Sequence, residues 1–349
     1  SAISDTNTSM KYPRLEINDN GEATAIWVRR NSGNQQGKYQ LMSRTRDTQG
    51  AWSSSIVLAE SSNLIAFPAL SLNQRGDKWV AWQEFLPNKK VFQVKGRFFS
   101  NETATYPYWS ATEIYSDGTA HAGFPQLSLD SQGNGIMYWR EADQAKLIAS
   151  HHFIGTTQLN GYLSMSATAH LTAMNRARAG KLSSRKQLSH QGHDSFNANV
   201  ETAEDINIKF TANGEAIAAW YGFDGDDYRI FASSRDALGN WGSAKALSAS
   251  GYHSKTPRIA IGDNREVAII WGRSDPVDGH VIETASLDPE SGNWSSPLVL
   301  SKSNQTAVWA DITFDGGRNY TAIWVELEKK QKSWDPDKLF VVTRSGKTT

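Results

Sequence analysis

The octapeptide NGEATAIW, Asn20 to Trp27, returns almost unchanged as NGEAIAAW at Asn213 to Trp220. A looser form, a turn followed by alternating apolar residues and a terminal tryptophan, occurs six times: NGEATAIW, RGDKWVAW, QGNGIMYW, NGEAIAAW, NREVAIIW and GRNYTAIW. The copies end at Trp27, Trp82, Trp139, Trp220, Trp271 and Trp324, with successive gaps of 55, 57, 81, 51 and 53 residues. Four of the five gaps lie near the period of blade-forming repeats, roughly 40 to 50 residues. Against that period the remaining gap carries an insertion of about 26 residues.

Each copy follows a short alternating segment: YPRLEIN, FPALSLN, FPQLSLD, INIKFTA, TPRIAIG or ADITFDG. A third strand and a polar turn come after it, most clearly in SSRDALGNWGSAKALS, Ser233 to Ser248. Period-two alternation bounded by turn residues marks strands. Six four-stranded units, none able to bury both faces alone, predict an all-β fold, a six-bladed β-propeller of four-stranded antiparallel blades. The sixth copy stops after its third strand, KLFVVTRSGKTT, while SAISDTN at the N-terminus matches KALSASG and LVLSKSN. The N-terminal strand is therefore expected to complete the last blade and close the ring, which protects its edges. This organisation makes residues 1–349 a single domain, with the insertion at about Lys146 to Ala167 in blade three.

Composition narrows the partners. The 36 basic and 36 acidic residues balance, so no global field favours nucleic acid. No apolar run approaches the roughly 18 residues that suggest a membrane span, and the N-terminus lacks a basic-then-apolar leader. The chain reads as a secreted or periplasmic bacterial protein whose signal is already absent, and as a monomer. There are no cysteines, which removes thiolate chemistry and Cys-based zinc sites. No cofactor is expected. Asp224, Asp226 and Asp227 in one Gly-containing turn have the chemistry to ligate calcium, although EF-hand spacing is absent.

At the turn between third and fourth strands, Ser234-Arg-Asp236-Ala-Leu-Gly239-Asn-Trp241 and Thr45-Arg-Asp47-Thr-Gln-Gly50-Ala-Trp52 carry a Ser/Thr-x-Asp followed by Gly and Trp. Ser286 to Trp294 is a looser copy. These turns resemble the Asp-box of bacterial sialidase-like propellers, with glycine one position late. The resemblance implies a propeller whose Asp-box turns are structural and lie away from the active face. Sialidase activity in that family implies an arginine triad, a Tyr/Glu nucleophile pair, an acidic proton donor and a Phe/Tyr-Arg-Ile-Pro motif. Here Tyr12-Pro13-Arg14-Leu15 has a different order.

Strand alternation places side chains. In the first strands, apolar residues such as Leu15 and Ile17 are expected to face the next blade. The intervening residues, Arg14, Ala69, Gln126, Asn207, Arg258 and Asp311, then face a central channel. Two positions past each repeat tryptophan stand Arg29, Glu84, Glu141, Gly222, Arg273 and Glu326, on the end where first strands begin. Charges there ordinarily form a solvated rim, and Arg suits carboxylate or sulfate recognition. The repeat tryptophans are expected to pack between blades, and Trp52, Trp241 and Trp294 to anchor turns. The insertion brings His151 and His152 to the rim end as a lid, a recognition loop or a plain hairpin; adjacent histidines on one strand point apart and make a poor chelating pair. No metal site is expected.

The function this suggests is a noncatalytic recognition module binding a glycan or protein at the channel mouth. The alternative is a carbohydrate-active enzyme, sialidase-like or lyase-like, with Arg14, Arg258 and Arg273 clamping an acidic sugar. Asp311 or Glu326 would then serve as acid/base and an insertion histidine as proton acceptor. A purely structural propeller is the third possibility.

Overall fold

Strand and turn alternate through the chain as the repeat requires. The computed structural model describes residues 9–30, 37–101, 109–142, 146–149, 161–164, 169–176, 186–187, 206–211, 214–263, 265–275, 279–301, 306–315, 319–327 and 338–345. Among these residues every regular element is a strand. They fall into two compact units, Ser1–Gln187 and Leu188–Thr349.

Three four-stranded antiparallel sheets make up the first unit. The first sheet is Ser9–Ile17, Ala23–Arg30, Tyr39–Arg46 and Ile56–Ser61. The second is Ile65–Leu72, Lys78–Leu86, Val91–Phe99 and Glu113–Ile114. The third is His121–Leu129, Gly135–Ala142, Ala169–Arg176 and Lys186–Gln187. The second unit holds a fourth sheet, Ile206–Phe210, Ala216–Phe223, Tyr228–Arg235 and Lys245–Ala246. The fifth is His253–Ile261, Val267–Asp275, Gly279–Leu287 and Leu298–Val299. The sixth has three described strands, Thr306–Phe314, Asn319–Leu327 and Lys338–Ser345. In every sheet the strands pair in chain order.

All six repeat tryptophans lie in second strands and are buried. In the second sheet, which has neighbours on both faces, Lys78–Leu86 is buried along seven consecutive positions. Trp79 shows how closely the layers meet. Its ring lies 2.5 Å from where a Cβ on Gly135 of the third sheet would stand, so only glycine fits there.

The apolar side of the first strands turns toward the preceding sheet, which corrects the expected direction. Leu70 of the second sheet joins Ile26, Val28 and Leu41 of the first, and Ile312 of the sixth joins Ala260, Ile270 and Ile282 of the fifth. The first sheet has no predecessor in its unit, and there Leu15 and Ile17 are 62% and 61% exposed.

The turns after the first strands repeat one device. Nine residues before each repeat tryptophan stand Asn18, Asn73, Asp130, Thr211, Gly262 and Asp315. The side-chain oxygens of Asn18, Asn73, Asp130 and Asp315 accept N–H groups of their own turns. Asn18 and Asn73 also donate, at 3.2 and 3.0 Å, to the carbonyls of Asn73 and Asp130 in the following sheet. Buried backbone groups need such partners. Between third and fourth strands, Trp52, Trp241 and Trp294 bridge to Arg46, Arg235 and Leu287, as turn anchors should.

The insertion begins and ends as a two-stranded antiparallel ribbon, Lys146–Ala149 with Gly161–Ser164. His151 and His152 lie outside the described residues.

Candidate functional site

At the mouth end of each sheet the first strand begins and the second strand finishes. There the pairing of first and second strands carries a bulge in five of the six sheets, among the described residues. Pairing slips between Lys11 and Arg14, Ala66 and Ala69, Lys255 and Arg258, and Val308 and Asp311; the third sheet slips between Tyr138 and Arg140 on the partner strand. At each slip one non-glycine residue has a left-handed backbone: Tyr12, Phe67, Phe124, Thr256 and Trp309, with φ between 46° and 55°. That conformation costs an L-residue about 1–2 kcal/mol. In four cases proline follows, and proline has no N–H for the slipped register to leave unpaired. In the first unit the bulge brings rings together: Tyr12 and Phe67 are 4.6 Å apart, Phe67 and Phe124 4.7 Å. Each such pair contributes about 0.5–1.5 kcal/mol, comparable to the backbone strain.

Just past the bulges stand Arg14, Ala69, Gln126, Arg258 and Asp311. Arg14 is exposed and its Nη1 donates to the Pro13 carbonyl. Asp311 is exposed and accepts the Ile312 N–H, while Arg258 is half-buried and Ala69 is buried. Arg258, Arg273, Asp311 and Glu326 belong to the second unit; Arg14, Arg29, Glu84 and Glu141 belong to the first.

The residues two positions past the tryptophans are not a solvated rim. Glu84, Glu141, Arg273 and Glu326 are buried. Strand alternation gives the reason: position +2 shares the tryptophan's face, so a carboxylate there lies beside the indole. Trp139 Nε1 donates to Glu141 Oε1 and Trp324 Nε1 to Glu326 Oε1, both at 2.9 Å. In the fifth sheet the acceptor comes from across the ladder, where Glu283 pairs with Trp271 and takes its N–H at 2.9 Å. Position +2 is then Arg273, whose Nε lies 2.8 Å from the same carboxylate. The second sheet reverses the order of charges, with Lys95 opposite Trp82 and 3.0 Å from Glu84. Glu84 also accepts from Ser61 at 2.8 Å. Arg29 donates to Gln40 at 2.8 Å, and Gln40 to Glu60 at 2.6 Å. Hydrogen bonds from Lys38 and Gln40 hold the Glu60 carboxyl below its ordinary value.

One cluster at this end lies open to solvent, on the fourth and fifth sheets. Tyr228 opens its third strand and packs edge-on against His253, ring centroids 5.6 Å apart; Lys255 Nζ stands 4.5 Å over the Tyr228 ring. His253 and Lys255 are exposed. His253 Nδ1 accepts the Tyr228 backbone N–H at 3.1 Å, which leaves the ring proton to Nε2. Asp227 approaches that nitrogen at 3.6 Å, but an accepting Nδ1 carries no proton, so the two form no ion pair in this tautomer. Asp227 instead accepts the Gly251 N–H at 2.7 Å. Phe223 and Tyr221 back the Tyr228 ring at 5.3 and 5.8 Å, and Arg273 lies 4.3 Å over Tyr252.

Sequence reasoning passed over Tyr228, His253 and Lys255. The visible signal was the Asp224-Gly-Asp226-Asp227-Tyr228 turn, read there for calcium. In that turn Asp224 Oδ1 accepts the Asp226 and Asp227 N–H groups. Burial works against ionisation of Asp224, but those N–H groups and Arg229 outweigh it and keep the carboxyl below its ordinary value. Among the described residues no three His, Cys, Asp or Glu side chains gather as a metal site, and no helix is long and apolar enough to cross a membrane.

No protein-family model and no curated protein matches the chain. Solved structures do. A protein of unknown function from Dyadobacter fermentans is similar at 12% identity and a TM-score of 0.46, covering 97% of this chain and 95% of its own. The leech intramolecular trans-sialidase is similar at 9% identity and 0.46, covering 97% and 68%. An α-L-arabinofuranosidase from Fusarium graminearum is similar at 10% identity and 0.44, covering 97% and 95%. No residue of this chain takes a role from these likenesses.

Proposed function

We propose that the chain is a noncatalytic, extracytoplasmic recognition module that binds a glycan at the mouth end of its fourth and fifth sheets. The observation that carries this reading is the solvent-open cluster of Tyr228, His253 and Lys255. Elsewhere at that end, Glu84, Glu141, Arg273 and Glu326 are buried beside fixed partners. An ammonium over the Tyr228 ring and an exposed imidazole packed edge-on against it suit a sugar, which offers hydroxyl or carboxylate oxygens to the donors and C–H surface to the rings. A two-carboxylate glycosidase needs both groups free to flank the scissile bond, but Glu141 and Glu326 are bonded to indoles and Glu283 is shared by Trp271 and Arg273. The accepting Nδ1 likewise gives His253 no spare lone pair for a general base.

Calorimetric titration against neutral and acidic oligosaccharides tests the reading. Binding should weaken about tenfold in Lys255→Ala, a loss of about 1.4 kcal/mol, and persist in Arg14→Ala. Equal affinity in Lys255→Ala and wild type would remove the site. Turnover of any panel sugar would transfer the reading to the sialidase-like or lyase-like alternative.

We infer further that the six sheets are blades of one closed propeller, the N-terminal segment supplying the sixth sheet's fourth strand. In the repeat, Leu15 occupies the place of Leu70, Leu339 that of Leu41, and Ile323 that of Ile26. Leu70, Leu41 and Ile26 share one apolar cluster, whereas Leu15 and Leu339 are 62% and 67% exposed. Closure would bury them in the same way. In the second, fourth and fifth sheets a serine ending the fourth strand accepts an N–H of the third: Ser116 from Val94, Ser248 from Ile230, Ser301 from Ile282, at 2.9–3.0 Å. Ser4 occupies that place in SAIS. Leu339→Asp should then cost about 2 kcal/mol or more in denaturant unfolding. A change within about 0.5 kcal/mol, the range for surface positions, would count against closure.

A further inference from the structure

At the opposite, turn end, an open cavity of about 490 Å³ lies between the fourth and fifth sheets. Its origin lies in the repeat. In the first unit the amides of Asn18 and Asn73 reach the next sheet's carbonyl and seal the end. The fourth sheet has Thr211 at this place, and its hydroxyl bonds within its own turn, to the Glu215 carbonyl at 3.3 Å. The bridge to Gly262 of the fifth sheet is thereby replaced by a gap.

The walls of that gap specify a chemistry. Ile217, Val267, Leu287 and Trp241 line its apolar side. Arg265 joins Glu215 across it by two hydrogen bonds, at 2.9 and 2.7 Å, from a left-handed backbone with φ 70°. Arg235 is buried, donates to the Gly214 carbonyl at 2.9 Å and lies 5.7 Å over the Phe210 ring. Both guanidinium groups thus already face an acceptor. Asp236 and Asp288 add carboxylates to the lining. At Asp236 the oxygens already accept from Asn240, Leu238 and Gly239; at Asp288 they accept from Glu290 and Ser291 and keep one lone-pair site. An anion would meet three carboxylates against two arginines, Arg265 already paired with Glu215 and Arg235 held on a backbone carbonyl. A neutral molecule with several hydroxyl donors and an apolar face meets acceptors and a hydrophobic wall. The volume lies within the range of small-ligand sites, about 300–1,000 Å³.

We propose that this cavity is a second site, distinct from the mouth end, that takes a neutral mono- or disaccharide. Left-handed Arg265 fits the tendency of strained residues to mark ligand clamps. At the matching repeat position the first and second sheets have asparagine and the fourth has threonine.

Saturation-transfer NMR in Lys255→Ala, which lacks the mouth-end ammonium, provides the test. The probes are methyl glucoside, methyl galactoside, methyl mannoside, N-acetylglucosamine, lactose and cellobiose, with glucuronate as the anionic control. At least one neutral probe should give a signal, and Thr211→Asn, which restores the inter-sheet amide, should reduce its affinity about tenfold or more. Leu287→Trp, which fills the apolar side, should do the same, with both variants unfolding cooperatively. Silence from every neutral probe would overturn the proposal. So would unchanged affinity in both variants, or a stronger glucuronate signal.

Discussion

The two ends of the sheets are built on opposite plans. At the turn end one chemistry recurs: an Asx side chain closes the first turn in four of the six sheets, and in the first unit its amide ties each sheet to the next. At the mouth end the position is constant and the chemistry changes. The indole of Trp139 finds its carboxylate along the strand, that of Trp271 finds it across the strand, and the second sheet exchanges the signs of the two charges. Regularity at the turn end ties sheets together within the first unit. The proposed turn-end site lies between the fourth and fifth sheets, whose first turns hold Thr211 and Gly262 in place of an Asx residue.

This contrast breaks down first if mouth-end charges are dispensable. Arg273→Met would leave Glu283 buried without its cation, and removing one partner of a buried pair costs about 3–5 kcal/mol. Urea unfolding should show that loss; a value near zero would return Arg273 to the solvated rim that the sequence suggested. Turn-end amides act individually with less effect. Asn73→Ala removes both its own turn's acceptor and the tie to Asp130, and should cost about 1–3 kcal/mol. If it costs as much as Arg273→Met, the two ends do not differ in kind.

The smallest effect is acid sensitivity. Burial holds the His121 imidazole below its ordinary value, so the folded state favours the neutral ring. Its contribution is intact above the unfolded pKa, about 6.5, and is lost progressively as pH falls from there toward the folded value. His121→Gln should flatten the stability profile below about pH 6.5; a profile parallel to wild type would assign that slope to another group.

The strands, their pairing order and the burial of the six tryptophans were legible in the sequence because one period writes them six times. The direction of the apolar face was not, because alternation tells which residues share a side and not which neighbour that side meets. Burial of Glu141 and Glu326 follows from the same alternation once the indole N–H is treated as a donor needing an acceptor. The Tyr228, His253 and Lys255 cluster had no such handle. It depends on a Gly-containing turn lifting Tyr228 toward the start of the neighbouring strand, a relation across 25 residues. The bulges were equally hidden, although the X-Pro pairs at Tyr12, Phe67, Phe124 and Thr256 mark them in retrospect.

Recognition at the mouth end is tested most directly by hydrogen exchange measured with and without the tightest oligosaccharide from the calorimetric panel. Protection should appear at residues 226–230 and 253–258, around Tyr228, His253 and Lys255. Protection confined to the turn end, or none in these two segments at saturating ligand, would contradict it.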